Sequence, residues 1–587
     1  MDSHLAAGYC AATGIYRSTH LAAGAAITAS SSFPDYILPR MLLPHLTARP
    51  AFIDAATGAS LTFAGLRRLA ILAARKLAAA AGLRRGHVVL LLSPNSIHFP
   101  ALSLAVLSLG AILSPANPLL TPDELAAQAL DSDPFLLLVS GDLSHKLNSI
   151  PDVNNRVVVL IEQLLLAAAD GEKLDFDVIP AVEEGIGGDE AAMVFYSSGT
   201  TGTSKGVVST HGNVIAAAAA LERAWRGGGG GGVSGDGEVY GCVVPMCHMF
   251  GFACFVMGTA AMGETAVVVG GRFSPGKTME AVEAYGVTTL LAVPPMIVKM
   301  ARAAAASSPA TATARRRRRL RHVVSSGAPL QREHVARFRR SFPDVKLGQC
   351  YGLTETTGCI IMCDLHHDDD GGDKWTKASP PLETETKDVA AISIGRLMSD
   401  MEAKIIDLAS GEPLPPHRTG ELWVRSPSVM QGYLNNKEAT AKTLVAAGAD
   451  EGGRWLRTGD LCYVDKRGHL YVVDRMKELI KCNAYQVAPA ELEDVLAAHP
   501  AIDDAAVASY PDEAAGEIPM AYVVKKQGSS HLRKDEVISF VRSKVAPYKR
   551  IRKVVFVDSI PRSPSGKILR RQLKNLLQGS IQERSRM

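Results

Sequence analysis

Short runs of aliphatic and β-branched residues alternate with longer amphipathic stretches over most of the chain. The runs VVLLLS, FLLLVS and VVVLIE, near residues 90, 137 and 159, are separated by segments rich in Ala and Leu. Strands of this length that alternate with helices are typical of βαβ units and parallel sheets. The pattern therefore predicts an α/β fold whose large N-terminal part, from about residue 50 to 480, is built from βα layers.

The pattern changes after Arg475. Lys-rich helical segments there surround two short strand-like runs, AYVVKK and KVVFVD. This combination of Lys-rich helical segments and short strands is typical of a small α+β domain. We therefore predict a large N-terminal domain over residues 1–476 and a small C-terminal domain over residues 477–587.

Length and composition exclude several classes of protein. With 587 residues, 47% hydrophobic and 21% charged, the chain is too long for one small binding module and too apolar to be mainly disordered. A net charge of +4 gives no reason to expect a nucleic-acid partner. The longest apolar stretch, residues 100–113, is shorter than the roughly 20 residues that a bilayer requires, so no transmembrane segment is expected. The nine cysteines form no CxxC pair, which argues against a disulfide framework or a zinc ribbon.

The densest group of candidate binding residues is SSGTTGTSKGV at residues 197–207. It follows the strand-like run MVFY and precedes the helical stretch NVIAAAAALERAW, so we predict strand, loop and helix, with Thr210 opening the helix. Its glycines allow backbone conformations closed to other residues, its hydroxyls and amides donate hydrogen bonds, and Lys205 adds a positive charge. This combination suits a polyphosphate.

A second candidate phosphate loop is GRFSPGKT at residues 271–278, which fits the pattern GxxxxGK[ST]. In that interpretation Lys277 serves a nucleotide-hydrolysing enzyme. Against it, Pro275 removes an amide donor, and Arg272 and Phe273 are bulky where the backbone should wrap phosphate. The next apolar run, TTLLAV, ends in two prolines instead of a metal-binding aspartate. We prefer the first loop and keep a phosphate-loop NTPase as a remote alternative.

Further motifs follow in order along the chain: VVPMCHMFG (243–251), VPPMIVKMA (293–301), SSGAPL (325–330), GQCYGLTETTG (348–358), GELWVRS (420–426), WLRTGD (455–460), YVVDRMKELIKCNAYQVAPAELE (471–493) and PRSPSGKILRR (561–571). With SSGTTGTSKGV, this set resembles the adenylate-forming enzymes, and more narrowly the plant 4-coumarate–CoA ligase-like proteins of the acyl-CoA synthetase superfamily. The resemblance covers nearly all the chain after about residue 50. It implies a large AMP-binding domain and a small mobile C-terminal domain.

The resemblance also implies an acid–thiol ligase that works in two steps. A carboxylic acid and ATP give an acyl-adenylate and pyrophosphate, and coenzyme A then displaces AMP to give the acyl-CoA. ATP and coenzyme A are co-substrates, and Mg²⁺ accompanies the phosphates, with Glu355 as its protein ligand.

Individual positions take their expected roles from the same resemblance. The implied ATP-binding residues are Ser197, Ser198, Gly199, Thr200, Thr201, Lys205, Gln349, Tyr351, Gly352, Thr354, Asp460, Arg475 and Lys567. The implied catalytic residues are Lys567, during adenylation, and Lys481, Gln486 and His248. The implied acyl-adenylate pocket comprises Phe250, Gly327, Gln349, Cys350, Thr354, Met362, Lys477 and Lys481. Arg272, Asn483 and Ala484 are expected beside coenzyme A, and Lys477 is the expected pivot of the small domain.

Some positions depart from the family pattern. Asn483 and Ala484 replace the usual Lys-Gly pair, and Phe250 and Cys350 stand where 4-coumarate ligases commonly have tyrosine and glycine. Loss of a phenolic partner leaves a substrate hydroxyl less well satisfied. Two substrate classes therefore stay open, 4-coumarate or another hydroxycinnamate, and a medium- or long-chain fatty acid or oxylipin precursor of jasmonate. A non-catalytic adenylate-binding protein is a third possibility.

The chain ends in Ser585-Arg586-Met587. This tripeptide resembles the Ser-Lys-Leu type of peroxisomal address, which a receptor reads. It predicts a peroxisomal import receptor as a partner and a peroxisomal location. If the ending is only a polar tail, a cytoplasmic location is expected instead.

Overall fold

The computed structural model describes residues 8–20, 32–169, 185–197, 204–226, 237–306, 319–363, 392–447, 452–476, 478–482, 485–512, 515–545, 547–563, 566–570 and 572–573.

The strands in these residues are numbered in chain order. They are β1 (Tyr9–Cys10), β2 (Ile15–Arg17), β3 (Pro50–Asp54), β4 (Ser60–Thr62), β5 (Val88–Leu92), β6 (Ile112–Ala116), β7 (Leu136–Val139), β8 (Val157–Leu160), β9 (Ala191–Ser197), β10 (Lys205–Thr210), β11 (Val239–Cys242), β12 (Thr265–Val268), β13 (Thr289–Ala292), β14 (His322–Ser325), β15 (Lys346–Leu353), β16 (Gly358–Met362), β17 (Ser393–Leu397), β18 (Glu402–Ile406), β19 (Gly420–Arg425), β20 (Gly432–Tyr433), β21 (Leu444–Ala446), β22 (Arg454–Val464), β23 (Leu470–Arg475), β24 (Ile480–Cys482), β25 (Tyr485–Val487), β26 (Ile502–Asp512), β27 (Gly516–Lys525) and β28 (Lys553–Phe556).

The α-helices are numbered in the same way. They are α1 (Phe33–Ile37), α2 (Phe63–Ala80), α3 (Phe99–Ser108), α4 (Pro122–Ser132), α5 (Ile161–Ala169), α6 (His211–Arg226), α7 (Met249–Gly251), α8 (Thr259–Met262), α9 (Pro275–Tyr285), α10 (Pro294–Ala306), α11 (Arg332–Ser341), α12 (Lys437–Thr443), α13 (Pro489–Ala497) and α14 (Lys534–Arg542). A π-helical segment, Phe252–Gly258, joins α7 to α8. Short 3₁₀ turns occupy Pro39–Leu42, Gly141–Ser149, Val153–Asn155, Thr354–Thr356 and Pro547–Lys549.

The strands form three sheets, which confirms the predicted α/β class. Within the described residues, one sheet has 16 strands in the order β1-β2-β18-β19-β22-β23-β17-β16-β15-β14-β13-β11-β12-β3-β4, with β21 beside β22. The second has the order β20-β10-β9-β6-β5-β7-β8, and the third the order β25-β24-β27-β26, with β28 beside β27. The third sheet begins only after the change in texture at Arg475. The boundary at 476/477 stays a prediction, because Lys477 lies outside the described residues.

The apolar stretch at residues 100–113 lies in the core of the large domain. Most of it forms helix α3, whose side chains are all buried. The hydroxyls of Ser103 and Ser108 donate to the carbonyls of Phe99 and Leu104 at 2.9 and 2.7 Å, so the buried helix carries no unsatisfied hydroxyl at these positions. Among the described residues, no helix combines the length and apolarity needed to cross a membrane.

The parallel strand pairing ends earlier along the chain than the alternation of strands and helices predicts for residues 50–480. Strands β3 and β11–β15 pair in parallel, whereas β15–β19, β22 and β23 pair in antiparallel fashion. Hairpins need only short connections, whereas parallel neighbours need a crossover. The described residues from β16 to β23 contain a single α-helix, α12, between their strands.

The predicted order of strand, loop and helix around Lys205 omits a strand. Residues Lys205–Thr210 form β10, which pairs with β9 on one side and β20 on the other. The β-branched run VVST suits a strand buried on both faces. Thr210 still opens helix α6, because its Oγ1 accepts from Asn213 N at 3.2 Å and its own N donates to Asn213 Oδ1 at 2.9 Å.

The small domain contains a largely buried cation, Arg570, whose side chain is 15% exposed. Arg570 bonds the carboxylate of Glu478, donates to Glu493 Oε1 at 2.7 Å and to the carbonyl of Val507 at 2.9 Å. Glu493 also accepts from Val507 N at 2.8 Å. Arg570 thereby joins the segment around Glu478, helix α13 and strand β26.

We predict that Arg570→Met destabilises the small domain by about 3–5 kcal/mol, because buried carboxylates lose their counter-charge. Hydrogen exchange of β26 and β27, resolved by mass spectrometry, measures this change. Arg533→Met is the matched control, because Arg533 pairs with Glu536 while 77% of its side chain is exposed, and such pairs contribute about 0–1 kcal/mol. Equal exchange in the two variants contradicts the prediction.

Candidate active site

The ends of β9 and β10 place two of the predicted phosphate-binding residues opposite each other. Ser197 and Lys205 are register partners in this antiparallel pair. Ser204 Oγ donates to the carbonyl of Ser197 at 2.9 Å, which ties the two strand ends together. The other predicted members of this loop lie outside the described residues; they are Ser198, Gly199, Thr200 and Thr201.

Glu355 lies on the turn Thr354–Thr356, which connects β15 to β16. Its Oε1 accepts from Tyr433 OH at 2.8 Å and from Ser197 Oγ at 3.4 Å. Thr357 follows with φ of 53°, and its Oγ1 lies 3.0 Å from Ser209 Oγ on β10. The turn that carries Thr354 and Glu355 is therefore held against the strand that carries Lys205.

Arg475 is the last residue of β23, and its cross-strand partner is Asp460, which lies within β22. Asp460 is 2% exposed, and its Oδ2 accepts from Tyr351 OH at 2.6 Å. Arg475 Nε lies 3.0 Å from Oδ1, off the line of a hydrogen bond. Burial lowers the pKa of Arg475, but the combined charges of Asp460, Tyr351, Glu478 and Glu355 outweigh burial and the pKa is raised. Burial and Asp460 both raise the pKa of Tyr351, which stays a neutral donor.

Gln349 and Gly352 lie on β15 at the expected adenine side. Gln349 is buried, and its Nε2 donates to the carbonyl of Ser393 at 3.1 Å. A Cβ at Gly352 would lie only 2.0 Å from the carbonyl oxygen of Gly358. The close approach of the two strands at this point therefore requires glycine.

Lys567 lies within the electrostatic reach of this group although it comes from the small domain. Burial and the charge of Arg475 together lower its pKa to about 8, although the charges of Glu478, Asp460 and Glu355 act in the opposite direction. The charge of Lys567 in turn adds to burial in lowering the pKa of His248. The structure thus brings Lys567 together with the predicted ribose, metal and acyl-side residues.

The loop that carries Lys567 is held by its own contacts and by the large domain. Ser563 N donates to the carbonyl of Lys567 at 2.8 Å, and Lys567 N donates to Ser563 Oγ at 3.1 Å. Gly566 has φ of 83°, and a Cβ there would lie 2.8 Å from Pro295 Cδ. This positive φ and this close contact with the large domain both favour glycine.

The predicted acyl pocket is mostly buried and apolar. Phe250 is 9% exposed, and Cys350 and Met362 are both 5% exposed and pair across β15 and β16. Gly327 lies in the exposed loop after β14, with φ of 84°. His248 precedes helix α7, which carries Phe250.

Thiols lie side by side behind this pocket. Cys359 Sγ lies 3.4 Å from Cys350 Sγ, and Cys254 of the π-helical segment interacts with Cys359. The hydrogen bond with Cys359 and burial raise the pKa of Cys350, the hydrogen bond with Cys254 and burial raise the pKa of Cys359, and burial raises the pKa of Cys254. The three thiols are therefore neutral, soft, apolar surfaces. None of the nine cysteines, all of which are described, forms a disulfide bond in the structure.

Asp474 connects the large domain to the small one. Its Oδ1 accepts from Arg475 N at 2.7 Å, and its Oδ2 accepts from Ala490 N, in the first turn of α13, at 3.1 Å. Burial raises the pKa of Asp474 to about 7, against the effect of Arg570. Outside this connection, Arg302 of α10 pairs with Asp503 of β26 at 2.6 Å.

Several predicted residues are not brought to this group by a described side chain. Lys481 and Gln486 are register partners in β24 and β25, where only their backbone is described. Lys477, Asn483 and Ala484 lie outside the described residues. Arg272 is exposed between β12 and α9.

The second phosphate-loop motif has the wrong local geometry. Pro275 is already the first residue of α9, so Lys277 lies inside the helix, where it is exposed. Thr278 is 1% exposed, and its hydroxyl donates to the carbonyl of Ser274 at 2.8 Å. The threonine is thus committed to a helical hydrogen bond and does not face a phosphate site.

The motifs do not single out Tyr433, which touches two predicted site residues. Besides donating to Glu355, its ring lies under Lys205, with Nζ 4.9 Å from the ring centroid. Tyr433 stands in the run QGYLNN, whose residue types carry no chemical signal of their own. Its position emerges only from the pairing of β20 with β10.

Comparisons with known proteins show the family of the chain. The family model described as "AMP-binding enzyme" matches residues 45–434, and that described as "AMP-binding enzyme C-terminal domain" matches residues 491–567. The chain is 68% identical to a 4-coumarate–CoA ligase-like protein of Oryza sativa subsp. japonica, over 100% of both chains. It is 43% identical to the peroxisomal OPC-8:0-CoA ligase 1 of Arabidopsis thaliana, over 89% of this chain and 90% of that protein.

Solved structures show the same fold. ATP-bound MatB from Rhodopseudomonas palustris superposes with a TM-score of 0.77 at 24% identity, covering 93% of this chain and 99% of that one. The o-succinylbenzoate CoA synthetase of Bacillus subtilis, in complex with an acyl-adenylate, superposes with a TM-score of 0.72 at 26% identity, covering 92% and 98%. A further structure of the same synthetase contains ATP and a magnesium ion.

We predict that the amine of Lys567 is half-deprotonated near pH 8, because burial and Arg475 disfavour the ammonium form. Trace acylation between pH 6 and 11, read by peptide mass spectrometry, measures this pKa. Arg475→Met raises it, because the variant removes a like charge and leaves Asp460 unpaired. An unshifted pKa in the native chain, unaltered by the substitution, places Lys567 away from this group and contradicts the prediction.

Proposed function

This chain belongs to the family of AMP-binding enzymes and is a CoA ligase, and from that premise we propose that it joins a small carboxylic acid to coenzyme A in two steps at the site around Glu355. The observation that carries the proposal is the meeting of Lys567 with Glu355, Asp460 and Arg475. It brings a cation from the small domain to the side chains that the motifs assign to the nucleotide.

In the first step, a carboxylate oxygen of the acid attacks the α-phosphorus of ATP. The bond from that phosphorus to the bridging oxygen breaks, and pyrophosphate leaves with the electron pair. Ser197 and Lys205, with the loop residues Ser198, Gly199, Thr200 and Thr201, bind the departing phosphates. Gln349, Tyr351 and Gly352 flank the adenine, Asp460 accepts from the ribose hydroxyls, and Arg475 lies beside the same sugar.

Lys567 acts during this first step by bridging the carboxylate and the α-phosphate. Its ammonium stabilises negative charge as the new bond forms, and Thr354 contacts the same phosphate. At neutral pH, a pKa of about 8 keeps most of the side chain protonated. Bound polyphosphate adds negative charge and so favours the ammonium form further.

The residues present fit a magnesium ion that arrives with ATP. Among the described residues, no cluster of three or more His, Cys, Asp or Glu side chains forms a metal cage. Mg²⁺ is usually bound by one or two carboxylates together with substrate phosphates, and Glu355 supplies such a carboxylate. When bound, the ion neutralises phosphate charge.

In the second step, the sulfur of coenzyme A attacks the acyl carbon, the bond from that carbon to the phosphate oxygen breaks, and AMP leaves. Lys567 must move out of the way of the thiol, so the small domain turns about residues 474–477, with Lys477 as the pivot. The turn brings Lys481 and Gln486 to the adenylate, and Arg272, Asn483 and Ala484 to coenzyme A. Burial lowers the pKa of His248, whose neutral ring is able to accept the thiol proton.

The acid is an apolar and largely aliphatic one, such as a medium- or long-chain fatty acid or an oxylipin. Phe250 offers no hydroxyl partner, and Cys350 and Met362 add a buried, soft wall. The 43% identity to a protein named as an OPC-8:0-CoA ligase supports the same class. 4-Coumarate and other hydroxycinnamates are the second candidate, supported by the relatives named as 4-coumarate–CoA ligase-like.

A peroxisomal location belongs to the same proposal. The tripeptide Ser585-Arg586-Met587 is the candidate address for an import receptor, although it lies outside the described residues. The name of the peroxisomal Arabidopsis relative supports this location.

We predict that Lys567→Ala lowers acid-dependent exchange of pyrophosphate into ATP by about a hundredfold, because a charge that stabilises the transition state is lost. The same variant retains the reaction of a supplied acyl-adenylate with coenzyme A, since Lys567 serves only the first step. Radiolabelled pyrophosphate and acyl-CoA formation are the two readouts.

Lys205→Ala and Lys277→Ala form the matched pair for the two phosphate loops. We expect Lys205→Ala to weaken the exchange of pyrophosphate into ATP and Lys277→Ala to leave it unchanged. In the native chain, we expect ATP to be converted to AMP. Conversion to ADP that depends on Lys277 instead identifies a phosphate-loop hydrolase. Binding of ATP without acyl-CoA formation from any acid identifies a non-catalytic adenylate-binding protein.

We predict that kcat/KM is at least about tenfold higher for C8–C16 fatty acids than for 4-coumarate, because the site leaves a buried phenol unpaired. Phe250→Tyr shifts the ratio about tenfold towards 4-coumarate, whereas Phe540→Tyr, on the half-buried α14, leaves it unchanged. AMP release from a panel of acids measures the ratio. A native preference for 4-coumarate overturns the aliphatic assignment.

A further inference from the structure

One tyrosine outside the recognised motifs contacts both ends of the proposed phosphate site. Tyr433 OH donates to Glu355 Oε1 at 2.8 Å, and Lys205 Nζ lies 4.9 Å from the centroid of the Tyr433 ring. Ser197 Oγ donates to the same carboxylate oxygen at 3.4 Å. A single side chain thereby touches the expected metal ligand and the expected phosphate-binding lysine.

The backbone of Tyr433 is held on both sides. Strand β20 pairs with β10, with Tyr433 opposite Val207 and Gly432 opposite Val208. Leu434 N donates to the carbonyl of Gly206 at 2.7 Å. Tyr433 N donates to Thr440 Oγ1, on α12, at 2.9 Å. The phenol is therefore presented from ordered backbone to the turn that carries Glu355.

The charges around the phenol suit a donor that stays neutral. Burial raises the pKa of Tyr433, and the charge and hydrogen bond of Glu355 raise it further. A neutral phenol donates to a carboxylate without cancelling its charge, so Glu355 keeps its affinity for a cation. The ring face contributes differently, because it attracts the ammonium of Lys205 through its quadrupole.

We propose that Tyr433 is a positioning residue, whose hydroxyl orients Glu355 towards magnesium and whose ring orients Lys205 towards the departing phosphates. The inference rests on the proposed function, because that function gives Glu355 and Lys205 these ligands. The inference adds that two parts of one side chain have separate roles: the hydroxyl acts on the metal ligand, and the ring acts on the phosphate-binding lysine.

Two substitutions separate the two contributions. Tyr433→Phe keeps the ring and loses the hydroxyl, so it weakens ATP binding about tenfold in the presence of Mg²⁺ and leaves binding in EDTA unchanged. Tyr433→Leu loses the ring as well, so it also weakens binding in EDTA, about threefold. Calorimetric titration of the full-length chain with ATP measures all four affinities, and thermal unfolding confirms that each variant is folded.

Tyr471→Phe is the matched control. Tyr471 OH donates to Asp465 Oδ2 at 3.2 Å on β23, away from the site residues, and both tyrosines are half-buried. We expect its Mg²⁺ dependence to equal that of the native chain. Glu355→Gln completes a double-mutant cycle, in which adding Tyr433→Phe to Glu355→Gln causes no further loss, because the hydroxyl acts through this carboxylate.

The outcomes distinguish this proposal from the proposed function. Tyr433→Phe with native ATP affinity in Mg²⁺, or with equal losses in Mg²⁺ and EDTA, overturns the positioning role even when the native chain makes acyl-CoA. If Tyr433→Phe loses ATP affinity only in Mg²⁺ but the native chain never makes acyl-CoA, the positioning role of Tyr433 is supported and the ligase proposal is rejected. A Glu355→Gln variant that loses a further tenfold on addition of Tyr433→Phe shows that the tyrosine acts elsewhere.

Discussion

The ion pair between the buried Asp460 and the partly exposed Arg475 joins the expected nucleotide side of the site to the connection between the domains. A carboxylate that is 2% exposed requires a counter-charge, because desolvation of an unpaired ion costs several kcal/mol. Arg475 provides this charge from the last residue of β23, directly before the segment that leads into the small domain. The neutralisation of the Asp460 carboxylate therefore depends on a residue that directly precedes the small domain.

The balance between burial and neighbouring charges also sets the protonation of other residues at the site. Three carboxylates and one guanidinium act on Lys567, and burial together with that guanidinium lowers its pKa to about 8. A cation held in this way is incompletely compensated by the protein and gains most from a polyanion. Asp474, with a pKa that burial raises to about 7, shows the complementary case of a carboxylate whose charged form burial disfavours. It directly precedes Arg475, where the chain passes towards the small domain.

Much of the site could be predicted from local sequence because each motif carries its residues at fixed spacing. Lys205, Asp460 and Lys567 lie in three short motifs, and the structure places the last two within electrostatic reach of each other. Tyr433 could not be found in this way, because its partners Glu355 and Lys205 are 78 and 228 residues away in the chain. Strand β10 was also missed, since its partners β9 and β20 decide that VVST is a strand and not the end of a loop.

The sequence by itself determined the α/β class, the change of texture after Arg475 and the chemistry of the motifs, because periodicity, glycine placement and residue type are local properties. Only the tertiary structure decided that GRFSPGKT is the start of a helix and that Tyr433 lies beneath Lys205. It also decided that the parallel sheet gives way to antiparallel strands after β15. These features depend on which strands become neighbours, and long-range pairing and burial set that choice across hundreds of residues.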